Sequence, residues 1–173
     1  MRVVQSSAVL AFAFAASATA ATAAPFDVYR SACLETQGDL GKIRSLATSQ
    51  KWDKLTEAER DQLAPGSTNL EGWAVPKDGA RYLVSISGGT ASGMAGDRSG
   101  SKMTSCSVLA GKSDEKTAAK AYGDFLKRQP STKETVDGTT TYTWSIQDAS
   151  NLTLHYLVGG PSMLSLSVSA IRK

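Results

Sequence analysis

Residues 139–146 read Thr-Thr-Thr-Tyr-Thr-Trp-Ser-Ile. Thr139, Thr141, Thr143 and Ser145 alternate with Thr140, Tyr142, Trp144 and Ile146, and a period of two in β-branched and aromatic residues predicts a strand with two unlike faces. Asp137-Gly138 stands immediately before it, a dipeptide suited to the two positive φ angles of a tight hairpin, and residues 133–136 supply the partner strand. Two more strands follow, over 151–158 and 162–171, separated by Gly159-Gly160-Pro161. In the last of them Ser165, Ser167 and Ser169 alternate with Leu164, Leu166, Val168 and Ala170. None of these connections is long enough for a crossover helix, so the strands are antiparallel.

Upstream, residues 70–75, 80–87 and 103–110 also read as strands, with Tyr82, Val84 and Ile86 on one face of the second and Leu83, Ser85 and Ser87 on the other. Between these strands and the final meander lies a helix that Ser113 is expected to cap. Ala118, Tyr122, Phe125 and Leu126 form its apolar stripe, and Pro130 stops it. Three short helices are expected between Phe26 and Ala64. Phe26, Tyr29, Cys33 and Leu34 mark the first, Leu40, Ile43, Leu46 and Ala47 the second, and the capping-box sequence Thr56-Glu57-Ala58-Glu59 the third. The predicted class is α+β: an antiparallel sheet with short N-terminal helices and one longer helix packed on one face.

Arg2, an apolar run over 9–16 and the small-residue sequence Ala21-Thr22-Ala23 have the form of an export signal, cut after Ala23. Residues 1–23 are thus expected to leave, and 24–173 to form one domain in the periplasm or outside the cell. No later segment has bilayer length, so no membrane span is expected in the mature chain. The full chain carries 19 Lys+Arg against 16 Asp+Glu. That surplus is too small to argue for nucleic acid. In an oxidising compartment the only two cysteines, Cys33 and Cys106, are expected to form a disulfide. Zinc would need four ligands and the chain has a single histidine, His155, so neither a metal nor a cofactor is expected.

Several patterns bear on chemistry. The 88–102 segment holds five glycines with Asp97, Arg98 and Lys102, and forms a candidate binding loop. Within it Ser99-Gly100-Ser101-Lys102 spells S-x-x-K, without the helical turn or companion motifs that sequence needs for acyl transfer. His155 lacks a G-x-S-x-G elbow, and the glutamates and aspartates at 57, 59 and 61 read as a solvated helix face. Trp52, Trp73 and Trp144 are core candidates before they are stacking platforms. The hydroxyls of the last strands form a candidate binding face, represented by Thr141, Thr143, Ser165 and Ser167, with Thr153 and His155 expected between them.

Cys33-Leu34, Lys51-Trp52, Gly72-Trp73-Ala74-Val75 and Cys106-Ser107-Val108 together resemble small uncharacterised exported proteins of alphaproteobacteria, over roughly residues 26–110. The resemblance implies an envelope location and the same cysteine pairing, and it carries no assigned activity. The sequence thus reads as a non-enzymatic exported domain that binds an envelope protein or glycan. The alternatives are a small envelope hydrolase using His155 with a nearby Ser, and an enzyme inhibitor that inserts the 88–102 loop.

Overall fold

The structure, a computed structural model, describes residues 24–64, 69–90, 100–148 and 151–172; the export signal expected at 1–23 lies outside them. The chain begins with α1 (Ala24–Tyr29), which runs directly into a π turn (Arg30–Leu34), then α2 (Leu40–Ser49), β1 (Asp53–Lys54) and α3 (Glu57–Leu63). It continues through β2 (Leu70–Lys77), β3 (Ala80–Thr90), β4 (Lys102–Gly111), α4 (Glu115–Leu126), β5 (Thr132–Val136), β6 (Thr139–Gln147), β7 (Asn151–Gly159) and β8 (Met163–Arg172). All eight strands join one antiparallel sheet in the order β1-β2-β3-β4-β8-β7-β6-β5. Two four-stranded meanders therefore meet where β4 pairs with β8, and α4 carries the chain from that central seam to the far edge.

The α+β expectation is corrected. Of the described residues 48% are strand and 30% helical, and the longest helix, α4, has 12 residues. The sheet is larger than expected because its turns are tighter. Asp78-Gly79 has φ of 53° and 75°, and Asp137-Gly138 has 48° and 75°. These are paired left-handed conformations that Asp and Gly tolerate and whose twist matches two long strands. β2 and β3 accordingly pair along their whole length, from Leu70 opposite Ser87 to Lys77 opposite Ala80.

One face of the sheet carries Trp73, Val75, Tyr82, Val84, Ile86, Cys106, Val108, Ala110, Leu157, Leu164, Leu166, Tyr142 and Trp144, all buried. α1 and α4 close over it. Tyr122 of α4 sets its ring 4.7 Å from that of Trp144 and 5.6 Å from that of Phe26 on α1. Each fully buried large side chain of this layer contributes about 1.5 to 3 kcal/mol relative to an exposed one. Cys33, in the π turn, is disulfide-bonded to Cys106 on β4, with Cα atoms 5.5 Å apart, so the N-terminal helices are tied to the sheet as expected.

The helices are not confined to that face. Leu55 lies over Gly72, where a Cβ would come within 2.6 Å of Leu55 Cδ1 and 3.1 Å of the Val84 carbonyl. Glu59 of α3 pairs at 2.6 Å with Arg81, which points to the same side. α3 thus covers the β2–β3 corner of the opposite face. It keeps its predicted capping box: Thr56 Oγ1 accepts from the Glu59 N–H and the Glu59 carboxylate accepts from the Thr56 N–H.

α4 departs from expectation at two points. Its cap is Asp114, whose carboxylate accepts from Lys116 and Thr117, while Ser113 donates to the Gly111 carbonyl. An ionised cap at the positive end of the helix dipole is the stronger acceptor. Phe125 is 45% exposed, because the buried side of the helix is filled by Ala118 and Tyr122.

Candidate functional site

Beyond the reach of α3, the face away from α1 and α4 carries no helix among the described residues. Its composition follows from the alternation in β6 and β8 together with the pairing register. One row crosses the sheet from Thr132 through Thr143, Tyr156, Ser167, Ser107 and Ser85 to Gly72. The neighbouring rows place Thr141 beside Val158 and Ser165, and Ser145 beside Leu154 and Ser169. Thr141, Thr143, Ser165 and Ser167 therefore do share one face, as expected.

What lies between them differs from expectation. His155 and Thr153 are on the opposite, helix-covered side, in register with Val168 and Ala170, and His155 is only 5% exposed. Residues of unlike parity on β7 cannot share a face, so the strand between the two hydroxyl arrays contributes Leu154, Tyr156 and Val158, all half-buried. The open face is thus a stripe of apolar and phenolic groups with serines on one flank and threonines on the other. Across β6, β7 and β8 this face carries no charged side chain; the nearest is Glu134 on β5, opposite Thr141.

The two flanks are not equivalent. In the serine block Ser85 Oγ meets Ser107 Oγ at 2.8 Å and Ser105 Oγ meets Ser169 Oγ at 2.7 Å, so these hydroxyls satisfy one another. The helix-free half around Tyr156 has no such side-chain pairs among Thr141, Thr143 and Ser165, and its hydroxyls are available to a ligand.

The buried face holds a second polar group. The Tyr29 and Tyr122 hydroxyls are hydrogen-bonded to one another, and the Tyr122 hydroxyl also lies 2.8 Å from His155 Nδ1 and 3.2 Å from the Ser167 carbonyl. Burial pushes both phenols well above their usual range, so both keep their protons. Burial lowers His155 to about 4, so its ring is neutral at neutral pH. The side-chain hydrogen-bond partner of His155 is Tyr122, not the serine with which the hydrolase alternative pairs it. Sequence reasoning placed Tyr29 and Tyr122 in the core. It missed their hydroxyl network, which joins residues 93 and 33 positions apart and needs the topology to be seen.

The candidate loop is shorter than its 88–102 bounds. Gly88, Gly89 and Thr90 pair with Thr104, Met103 and Lys102, so these residues are strand. Asp97, Arg98 and Ser99 lie outside the described residues. Trp73 and Trp144 are buried and Trp52 packs against the core, which removes all three as open stacking platforms. Among the described residues no cluster of three or more His, Cys, Asp or Glu could hold a metal ion, and no helix is long and apolar enough to cross a membrane.

No protein-family model, no curated protein and no solved structure matches this chain. The motif residues noted in the sequence have structural roles here: Cys33 and Cys106 form the disulfide, Trp73 is core, and Gly72 admits Leu55.

Proposed function

We propose that the chain is an exported, non-enzymatic binding domain that holds an envelope component on the helix-free half of its sheet. The observation that carries this reading is the uncharged stripe of Leu154, Tyr156 and Val158, flanked by Thr141 and Thr143 on one side and Ser165 and Ser167 on the other. A rigid sheet fixes these groups at strand spacing, and a phenol ringed by hydroxyls suits a neutral polyhydroxylated chain. The ring stacks on the apolar face of a sugar while the hydroxyls exchange hydrogen bonds with its edge. Export is supported by the signal-like segment and by a disulfide that an oxidising compartment would preserve.

Thr143 and Ser167 flank Tyr156 directly on the two neighbouring strands. Thr143→Lys with Ser167→Lys should therefore put charge and bulk on both sides of the ring without disturbing the core. Co-sedimentation of the purified protein with envelope glycan should be lost in this variant and in Tyr156→Ala, with the unfolding midpoint nearly unchanged. Sedimentation by the folded double-lysine variant equal to that of the wild type would overturn the proposal.

A further inference from the structure

Beneath the turn at Gln37-Gly38, on the helix-covered side, lies a recess of about 240 Å³. The floor is built by adjacent rows of the sheet: His155 beside Val168, then Thr153, Ala170 and Thr104. Leu34 and the disulfide form an apolar wall, and the exposed Arg172, at the mouth, is the only charged residue among the described residues of the lining. Arg172 makes no ion pair with any described residue. A neighbouring recess shares Arg172, yet it mixes Asp39, Lys42 and Glu71 and offers no single sign of charge.

The polarity of the floor follows from the buried network. Among the described residues Tyr29 has one hydrogen-bond partner, the Tyr122 oxygen, and therefore donates to it. Tyr122 then has one proton to give, to His155 Nδ1 at 2.8 Å or to the carbonyl of Ser167 on a central strand at 3.2 Å, and the shorter contact assigns it to Nδ1. A neutral imidazole that accepts at Nδ1 carries its proton on Nε2. Nε2 has no hydrogen-bond partner among the described residues. The one sealed, unpartnered polar side-chain atom among the described residues is Arg60 Nε, so Nε2 is not sealed, and the recess that His155 lines is the opening assigned to it. In this assignment the chain Tyr29 to Tyr122 to His155 ends in an N–H donor on the recess side, and successive bonds of one direction strengthen one another.

We infer that this recess binds a short organic acid, with its carboxylate on Arg172 at the mouth and a hydrogen-bond acceptor, such as a carbonyl oxygen, on His155 Nε2 at the inner end. Arg172 lies four residues along β8 from Val168, the register partner of His155. The two backbone positions are therefore about 13 Å apart, a span that the length of the arginine side chain reduces to that of a small molecule. Ala170 and Leu34 face the apolar middle of such a ligand. A free acid suits a half-open recess of this size, and the site is separate from the open face on the other side of the sheet.

The test uses the whole exported protein, labelled with ¹⁵N in histidine. The chain has one histidine, so its ring signals are unambiguous. The free protein should show the Nε2–H tautomer. Titration with 5-oxohexanoate should shift these signals saturably. Hexanoate, which lacks the inner acceptor, and 5-oxohexanamide, which lacks the charge, should each bind roughly tenfold more weakly, as expected for one lost hydrogen bond or ion contact. Arg172→Gln, at the exposed end of β8, should weaken 5-oxohexanoate by a similar factor and leave the tautomer unchanged. The proposal is overturned by an Nδ1–H tautomer, by the absence of a saturable shift, by equal binding of all three probes, or by unaltered binding in Arg172→Gln.

Discussion

Tyr122→Phe removes one oxygen and no carbon, so its cost isolates the buried network from packing. In the folded protein that oxygen is the acceptor of Tyr29 and the partner of His155 Nδ1, and both of those side chains are buried. The phenylalanine ring keeps its contacts with Trp144 and Phe26 but orphans two polar atoms at once. A buried unsatisfied group costs about 1 to 3 kcal/mol, so the variant should lose roughly 2 to 5 kcal/mol. Tyr29→Phe should cost only about 1 kcal/mol, because Tyr122 retains both His155 and the Ser167 carbonyl. In the double variant only Nδ1 is orphaned, and the two changes together should cost less than their sum by about 1 kcal/mol or more. Urea unfolding of the four proteins, read by tryptophan fluorescence, measures all three quantities. Equal costs for the two single variants, or strict additivity, would refute the direction assigned to the network.

Two further outcomes follow from the same face of the sheet. Replacing Cys33 and Cys106 by alanine opens a ring whose ends are 73 residues apart. By the chain-entropy argument this should cost about 4 kcal/mol and lower Tm by roughly 8 to 16 °C, and a fall below about 3 °C in calorimetry would contradict it. His155, with its pKa depressed from 6.5 to about 4, should make stability depend on pH. In that interval the unfolded chain binds a proton that the folded one refuses, so the contribution is complete above 6.5 and is lost as pH falls towards 4, by about 3 kcal/mol in all. Among the described residues no carboxylate lines the recess to offset this loss. His155→Gln should lack this slope in urea midpoints taken across the interval, and an unchanged slope would assign the acid sensitivity to other groups.

Most strands were legible because alternation is a local property. The 139–146 stretch declares its own two faces, and Asp137-Gly138 declares its own turn. The second Asp-Gly, at 78 and 79, carries the same signal between the strands on either side, and it extends their pairing to Lys77 opposite Ala80. Whether α3 lies above or below the sheet is not local. It depends on Gly72, which leaves room for Leu55 on the side away from α1. The misplacement of His155 has a similar cause. Parity within β7 separates His155 from Tyr156 unambiguously, but which of the two joins the hydroxyls of β6 and β8 depends on register. Tyr156 pairs with both Thr143 and Ser167, and that pairing decides the candidate site.

The sheet's edges argue for contact through its surfaces. An exposed edge offers unpaired N–H and C=O groups to any extended chain, so a domain that binds by strand addition keeps one edge long and unobstructed. Here one edge is β1, two residues long and made of Asp53 and Lys54. The other is β5, five residues long and exposed throughout, with Lys133 and Glu134 at its middle and Lys133 drawn over the ring of Tyr142 at 5.1 Å. Short length at one end and charge at both discourage strand addition. The serine block withdraws a third region, since hydroxyls paired with one another must be separated before they can serve a partner. Among the described residues two regions remain in which polar groups stand beside apolar ones with hydrogen-bonding capacity unused: the Tyr156 stripe on the open face and the His155 recess behind the disulfide. They lie on opposite sides of the sheet, so a variant of one leaves the other intact, and each binding proposal can fail without the other.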